Sequence, residues 1–205
     1  MGNTVGSTST NFCDFFANPQ NAYILGLLAA DAYWWTSSLG VSSVDHELQE
    51  MFRKFILRLG FPKERVKKSK SNNHLYVNSR PLLRSYKADL QRIRLLNKPD
   101  LIRAYLAGRF DGDGCINEDL RRDCRIVYGE KKEKEEAILD RKLLKKIGVK
   151  NTNIYYYRTS GTYCIYVFRN EVEKFLKALL PYSIKLQKLV LVSRRDLASL
   201  KGKGA

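Results

Sequence analysis

Leu106-Ala107-Gly108-Arg109-Phe110-Asp111-Gly112-Asp113-Gly114 closes an apolar run that opens behind Lys98-Pro99-Asp100. Proline suits the first position of a helix, where its missing N–H removes no hydrogen bond, so Leu101 to Phe110 is expected to be helical. Gly108 and Gly112 stand four apart and share one face, which lets a second helix approach closely. A glycine costs about 1 kcal/mol against alanine inside a helix, and tight helix contact is a compensating reason for two of them. Directly after the small-residue stripe comes Asp113. An acid there faces the negative end of the helix dipole, a placement that capping would not select.

The chain holds a second stretch of this kind. Asn18-Pro19 is a helix start with Asn as N-cap, and Tyr23 to Leu28 continues through Gly26, Ala29 and Ala30 to Asp31. Gly26 and Ala30 repeat the four-residue spacing, and Asp31 stands where Asp113 stands in the other copy. Packing the two helices side by side brings both acids together, so each raises the other's electrostatic cost, and a divalent cation relieves both. Asp31 and Asp113, with the freed carbonyls of Ala30 and Gly112, are hard oxygen donors suited to Mg²⁺, water and phosphate filling the remaining positions.

The segments downstream of the two stretches also repeat. Tyr33–Thr36 and Leu39–Val44 read as two strands, then Leu48 to Leu59 as a helix stopped by Gly60. Cys115–Asn117 and Arg125–Tyr128 read as two strands, then Ala137 to Ile147 as a helix stopped by Gly148. His74–Val77 and Tyr163–Phe168 match in the same way, each followed by a helix, roughly Pro81 to Arg92 and Glu171 to Leu180. Ile154–Tyr157 is a further strand by its aromatic and β-branched content, with a weaker partner near Lys67–Lys70. The expected fold is α+β, two pseudo-symmetric αββαββα halves at about 18–98 and 99–200, each an antiparallel sheet covered on one face by helices. Halves this small are expected to share a core. Residues 1–17 read as a flexible or loosely docked arm and 201–205 as a tail.

With 37 Lys+Arg against 21 Asp+Glu in 205 residues, the net charge of +16 points to a polyanionic partner, nucleic acid first. No apolar run approaches a membrane span and no charge-flanked leader opens the chain, so the expected setting is intracellular. Cys13, Cys115, Cys124 and Cys164 are scattered without a C-x-x-C pair, against a zinc site, though Cys115 and Cys124 could meet across a hairpin.

The stretch Leu106–Gly114 resembles the LAGLIDADG motif almost letter for letter, and Leu25-Gly26-Leu27-Leu28-Ala29-Ala30-Asp31-Ala32 is a degenerate copy. The resemblance covers nearly the whole chain. It implies a monomeric, single-chain homing endonuclease with the motif helices at the interface and two sheets forming a saddle in the major groove of double-stranded DNA. It implies cleavage of both strands of a long asymmetric target, 3′ overhangs, and Mg²⁺ or Mn²⁺ held by the last acid of each motif, Asp31 and Asp113. Asp111 aligns with the motif's earlier, non-catalytic acid. A basic residue near each scissile phosphate is implied as well: Lys185, ahead of the last helix, its first-half counterpart Lys98, and Lys131 at a strand end. Ala32 replaces the usual glycine, which makes a left-handed turn after Asp31 less comfortable and would weaken that half.

Alternate residues of each strand would face the nucleic acid. In the first half these are Tyr33, Trp35, Ser43, Tyr76 and Asn78, and in the second Arg125, Tyr155, Tyr157, Arg158 and Tyr163. Lys67, Lys68, Lys70, Arg121 and Arg122 read as phosphate contacts in hairpin loops. The same scaffold admits an alternative, an intron maturase binding RNA or a DNA-binding regulator that does not cut. Acids kept at both helix ends weigh against it, because a pure binder bears their cost without gain.

Overall fold

The computed structural model describes residues 12–71, 73–116, 123–128 and 134–189. Asn18 accepts the Asn21 amide and Pro19 sets the first turn of α1 (Pro19–Asp31), which runs directly into β1 (Ala32–Trp35) and, after a turn, β2 (Ser38–Ser42). Asp45 caps α2 (His46–Arg58), whose stripe Leu48, Phe52, Phe55 and Ile56 is buried. β3 (Val66–Lys68), β4 (His74–Asn78) and α3 (Arg80–Arg92), capped by Ser79, complete the half. The order then repeats as α4 (Pro99–Asp113), β5 (Gly114–Ile116), β6 (Asp123–Tyr128), α5 (Lys134–Lys146), β7 (Thr152–Tyr157), β8 (Thr162–Phe168) and α6 (Arg169–Leu179). A helical segment comes after it at 184–189.

Each half forms a four-stranded antiparallel sheet, in the orders β1-β2-β4-β3 and β5-β6-β8-β7. Leu39, Val41, Leu75 and Val77 of the first sheet, and Ile165 and Val167 of the second, turn to the helices and are buried. One continuous core joins Phe52 and Phe55 of the first half to Phe110 and Phe175 of the second. The α+β repeat expected from the sequence is the fold observed.

Four expectations change here. Residues 12–17 are firmly docked: Phe15 is fully buried, its amide donates to Asp89 Oδ2 at 2.9 Å, and the Cys13 amide donates to Ser85 Oγ at 3.2 Å. An aromatic anchor outweighs the polar composition around it, while residues 1–11 and the 201–205 tail lie outside the described residues. Ala32 has φ −65° and Gly114 φ −77°, so neither helix-to-strand junction uses a left-handed residue and Ala32 brings no strain. Lys67 and Lys68 lie within β3 rather than in a loop, because the chain turns only at Lys70 and Ser71. Cys115 stands across from Arg125, and Cys124 across from Ile116. Among the described residues no helix is long and apolar enough to cross a membrane.

Candidate active site

α1 and α4 pack side by side in the same direction, each helix's small residues seated on the other's backbone. A Cβ on Gly26 would lie 1.9 Å from the Tyr105 carbonyl oxygen, and one on Gly108 would lie 2.0 Å from that of Tyr23. One turn further on, a Cβ on Gly112 would meet the Ala30 methyl at 2.4 Å and Asp31 Oδ2 at 3.4 Å. The register of these contacts brings the two helix ends together, with the Asp31 carboxylate against the residue that precedes Asp113. Gly114 has a separate reason to be small, since a Cβ there would strike the Phe110 ring at 2.2 Å.

The last carbonyls of a helix lack intrahelical partners and must be satisfied otherwise. At the end of α4 the Lys185 ammonium takes this role, donating to the carbonyls of Gly112 at 3.3 Å and Gly114 at 3.1 Å. At the end of α1, Leu28 O accepts from the Tyr86 hydroxyl at 3.1 Å and Ala29 O from the guanidinium of Arg109. Burial pushes the Asp31 carboxyl above its ordinary value, while the positive charges of Lys185 and Arg109 pull against that rise. A hard cation would reverse the burial penalty outright.

Lys185 owes its place to Asp111. That side chain is fully buried and accepts from the Tyr23 hydroxyl at 2.8 Å, the Ser183 hydroxyl, and the amides of Ile184 at 2.7 Å and Lys185 at 3.3 Å. It thus caps the 184–189 segment from inside the core, tying α1, α4 and that segment at one point. Burial raises the Asp111 carboxyl, and the bonds from Ser183, Tyr23, Ile184 and Lys185 hold it down. From the same segment Lys188 reaches Glu47 at 3.1 Å and Asp45 at 3.5 Å, at the start of α2.

The other basic candidates are not gathered here. Lys98 is exposed at the start of α4, so the whole helix, about 22 Å at 1.5 Å per residue, separates it from Asp113. It corresponds to Lys185 in the repeat, but the helix it precedes points the opposite end at the site. Lys131, Arg121 and Arg122 lie outside the described residues.

The register sorts the sheet residues by face. Tyr33 and Trp35 pair with Gly40 and Ser38, on the face turned away from the helices, where Tyr33 stacks on His74 at 4.6 Å and lies 5.3 Å from Tyr76. Trp35 is 72% exposed there, and Asn78 shares the face with Tyr76. In the second sheet Tyr155 packs edge-on against Tyr166, and the Tyr157 hydroxyl meets that of Tyr166. Arg125 stands across from Tyr166, and Arg158 lies exposed in the turn after β7. Two choices fail. Tyr163 pairs with Tyr156 on the helix side and packs against the core, one residue out of register. Ser43 lies past the end of β2, where its hydroxyl accepts the Asp45 amide at 3.2 Å. Lys67 is opposite Tyr76 on the outer face, whereas Lys68 is opposite Leu75 on the helix side.

Sequence reasoning missed Arg109, Tyr23, Ser183, His74 and Tyr166. Arg109 carried one signal, a charged residue on an otherwise apolar helix.

Residues 18–94 match the LAGLIDADG-like domain family. No curated protein sequence matches the chain. Among solved structures it is similar to I-DmoI in complex with DNA and Mn, at 21% identity and a TM-score of 0.61, covering 79% of this chain and 96% of that one. I-DmoI in complex with DNA and Ca gives 19% identity, a TM-score of 0.66, and coverage of 83% and 96%. The N-terminal LAGLIDADG domain of DUF199/WhiA gives 19% identity, a TM-score of 0.59, and coverage of 80% and 84%.

Proposed function

Because the first half is a LAGLIDADG-like domain and the whole chain has the fold of the homing endonuclease I-DmoI, we propose that this protein is a site-specific DNA endonuclease. It cuts both strands of a long, asymmetric duplex target and leaves 3′ overhangs. One observation carries the reading: two helices in contact from Gly26 and Gly108 to their ends, each ending in an acid, with Asp31 Oδ2 lying against Gly112. A relative bound to DNA and Mn and another bound to DNA and Mg agree with it.

No group of three or more acidic, histidine or cysteine side chains that could hold a metal occurs among the described residues. The donor set that fits is therefore two carboxylates, Asp31 and Asp113, with the carbonyls of Ala30 and Gly112, water and phosphate oxygens. That hard-oxygen set suits Mg²⁺, with Mn²⁺ as a substitute. When bound, the cation activates a water and stabilises the leaving oxygen of the phosphodiester. The two acids orient it between the strands. Lys185 supplies a positive charge at the α4 end, where charge develops on the scissile phosphate. Tyr33, Trp35, Tyr76, Asn78, Lys67, Tyr155, Tyr157, Arg125 and Arg158 offer the surface that reads and holds the duplex, as a monomer.

Cleavage of a randomised duplex library by the purified chain tests the reading and yields the target. Wild type is expected to linearise the selected duplex with Mg²⁺ or Mn²⁺, while Asp31→Asn and Asp113→Asn bind it and do not linearise it. Tight binding without cleavage in any divalent metal would refute the nuclease and favour a non-cutting DNA-binding regulator, the second use of the fold suggested by the WhiA likeness. Preference for intron RNA over duplex would favour a maturase.

A further inference from the structure

Arg109 is fully buried, the largest side chain in the protein to be so. Its Nε donates to Asp140 Oδ2 at 3.2 Å and its far nitrogen lies 3.5 Å from Glu136, both on α5 of its own half. Its remaining arm crosses the helix interface and donates to the carbonyl of Ala29, two residues before Asp31. A buried ion pair of this kind commonly gives no more stability than apolar residues of similar volume, since each ion loses its hydration. The corresponding position on α1 is Leu27, which packs in the core without any charge. What an arginine does here that a leucine cannot is hold a freed carbonyl of the neighbouring helix. Three donors in a rigid fork suit that double duty, two directed at carboxylates and one at the carbonyl.

The two helix ends are therefore pinned by different residues. Lys185 pins the α4 end, and Tyr86 with Arg109 pins the α1 end. We propose that Arg109, a residue of the second half, is the positioning residue for the acid of the first: by holding Ala29 it fixes the last turn of α1 and so the place of Asp31. The proposal rests on the nuclease reading for its catalytic consequence, though not for its structural one. Asp31 also feels the charge of Arg109 directly, in the direction that favours its ionised form.

Arg109→Leu removes the bond to Ala29, and Arg109→Leu with Asp140→Asn does so without leaving a buried carboxylate unpaired. Arg109→Lys keeps the charge and one donor. Amide hydrogen exchange in the full chain is expected to rise about tenfold at Ala30, Asp31 and Ala32 in both leucine variants, with Gly112, Asp113 and Gly114 unchanged and partial recovery in the lysine variant. On a supercoiled plasmid bearing the duplex selected by wild type, nicked circles should accumulate, one strand being cut about ten- to a hundredfold more slowly and the other at its normal rate. In an Asp31→Asn background the Arg109 substitution should add nothing. Unchanged exchange at the α1 end, or equal slowing of both strands, overturns the proposal. A wild-type chain that cuts no duplex overturns the nuclease reading instead, and the exchange measurement then decides the positioning role by itself.

Discussion

Gly108→Ala tests the helix contact on which the site depends. The added Cβ would lie 2.0 Å from the Tyr23 carbonyl oxygen and 2.7 Å from the Leu27 amide nitrogen, both backbone atoms of α1 that no rotamer change can move. Reaching the 3.4 Å of an ordinary contact requires the helices to part by about 1.4 Å. Overpacking of this kind costs about 1–3 kcal/mol or more, against which alanine returns at most about 1 kcal/mol of helix propensity. A net loss of about 2 kcal/mol is expected, or about 4–8 °C in melting temperature for a chain of this length. Cleavage should fall further than stability explains, by about a hundredfold, because displacement by about 1 Å separates Asp31 from Asp113. Gly60→Ala is the control: φ there is +84° with open space around it, so it costs about 1–2 kcal/mol of backbone strain far from the site. Calorimetry and plasmid cleavage on both variants decide the matter. A Gly108→Ala protein as stable as wild type, or one whose activity loss merely equals that of Gly60→Ala, would refute the close approach.

Single side chains give the other expectations. Asp111→Asn removes one acceptor oxygen from a buried cluster of four donors and should cost about 2–3 kcal/mol by urea titration; it should also release Lys185 and slow cleavage more than it weakens DNA binding. Burial, opposed by Arg109 and reinforced by Asp140, raises the Glu136 carboxyl above 4.5. Its contribution to stability is then present below that value and lost as pH rises through the raised one, so Glu136→Gln should gain on wild type over that rise. A stability difference that stays constant from about pH 4 to 7 would contradict the shift. With a net charge of +16, duplex affinity should fall about a thousandfold or more between about 50 and 200 mM salt, which a filter-binding titration measures; a flat response would mean that the basic residues do not meet phosphates.

The features legible in the sequence are those set by local chemistry. Pro19 and Pro99 mark two helix starts, the small residues mark the contact face, and Asp31 and Asp113 mark the two ends. Strand positions are legible to within a residue or two, which is enough for topology but not for face, and Tyr163 falls on the wrong side for that reason. Contact between distant segments is what sequence could not supply. Asp111 reads as one acid in a glycine-rich turn until residues 183–185 return to it, and a charged residue such as Arg109 is expected at the surface because burial normally excludes it. Lys98 shows the opposite error: equivalence to Lys185 in the repeat is not equivalence in space, because Lys98 precedes a helix whose far end forms the site.

The pattern of divergence between the two motif copies has a physical order. At 26 and 108, and at 30 and 112, both copies are small, because a Cβ at any of the three glycines would enter the partner helix, and Ala30 is the side chain that Gly112 accommodates. At 27 and 109, and at 29 and 111, the copies differ as much as Leu from Arg and Ala from Asp. These latter positions face unlike surroundings: position 111 meets the 184–189 segment, and position 109 meets α5. The pairing of helices thus constrains the interface symmetrically while leaving its supports free to differ. An acid held through Tyr86 and Arg109 and an acid beside Lys185 cannot have identical environments, so two strands cut at these two ends should be cut at different rates, with a nicked intermediate in every wild-type time course. Strictly simultaneous cleavage of both strands would show that the metal and the DNA, rather than these supports, set the geometry of each acid.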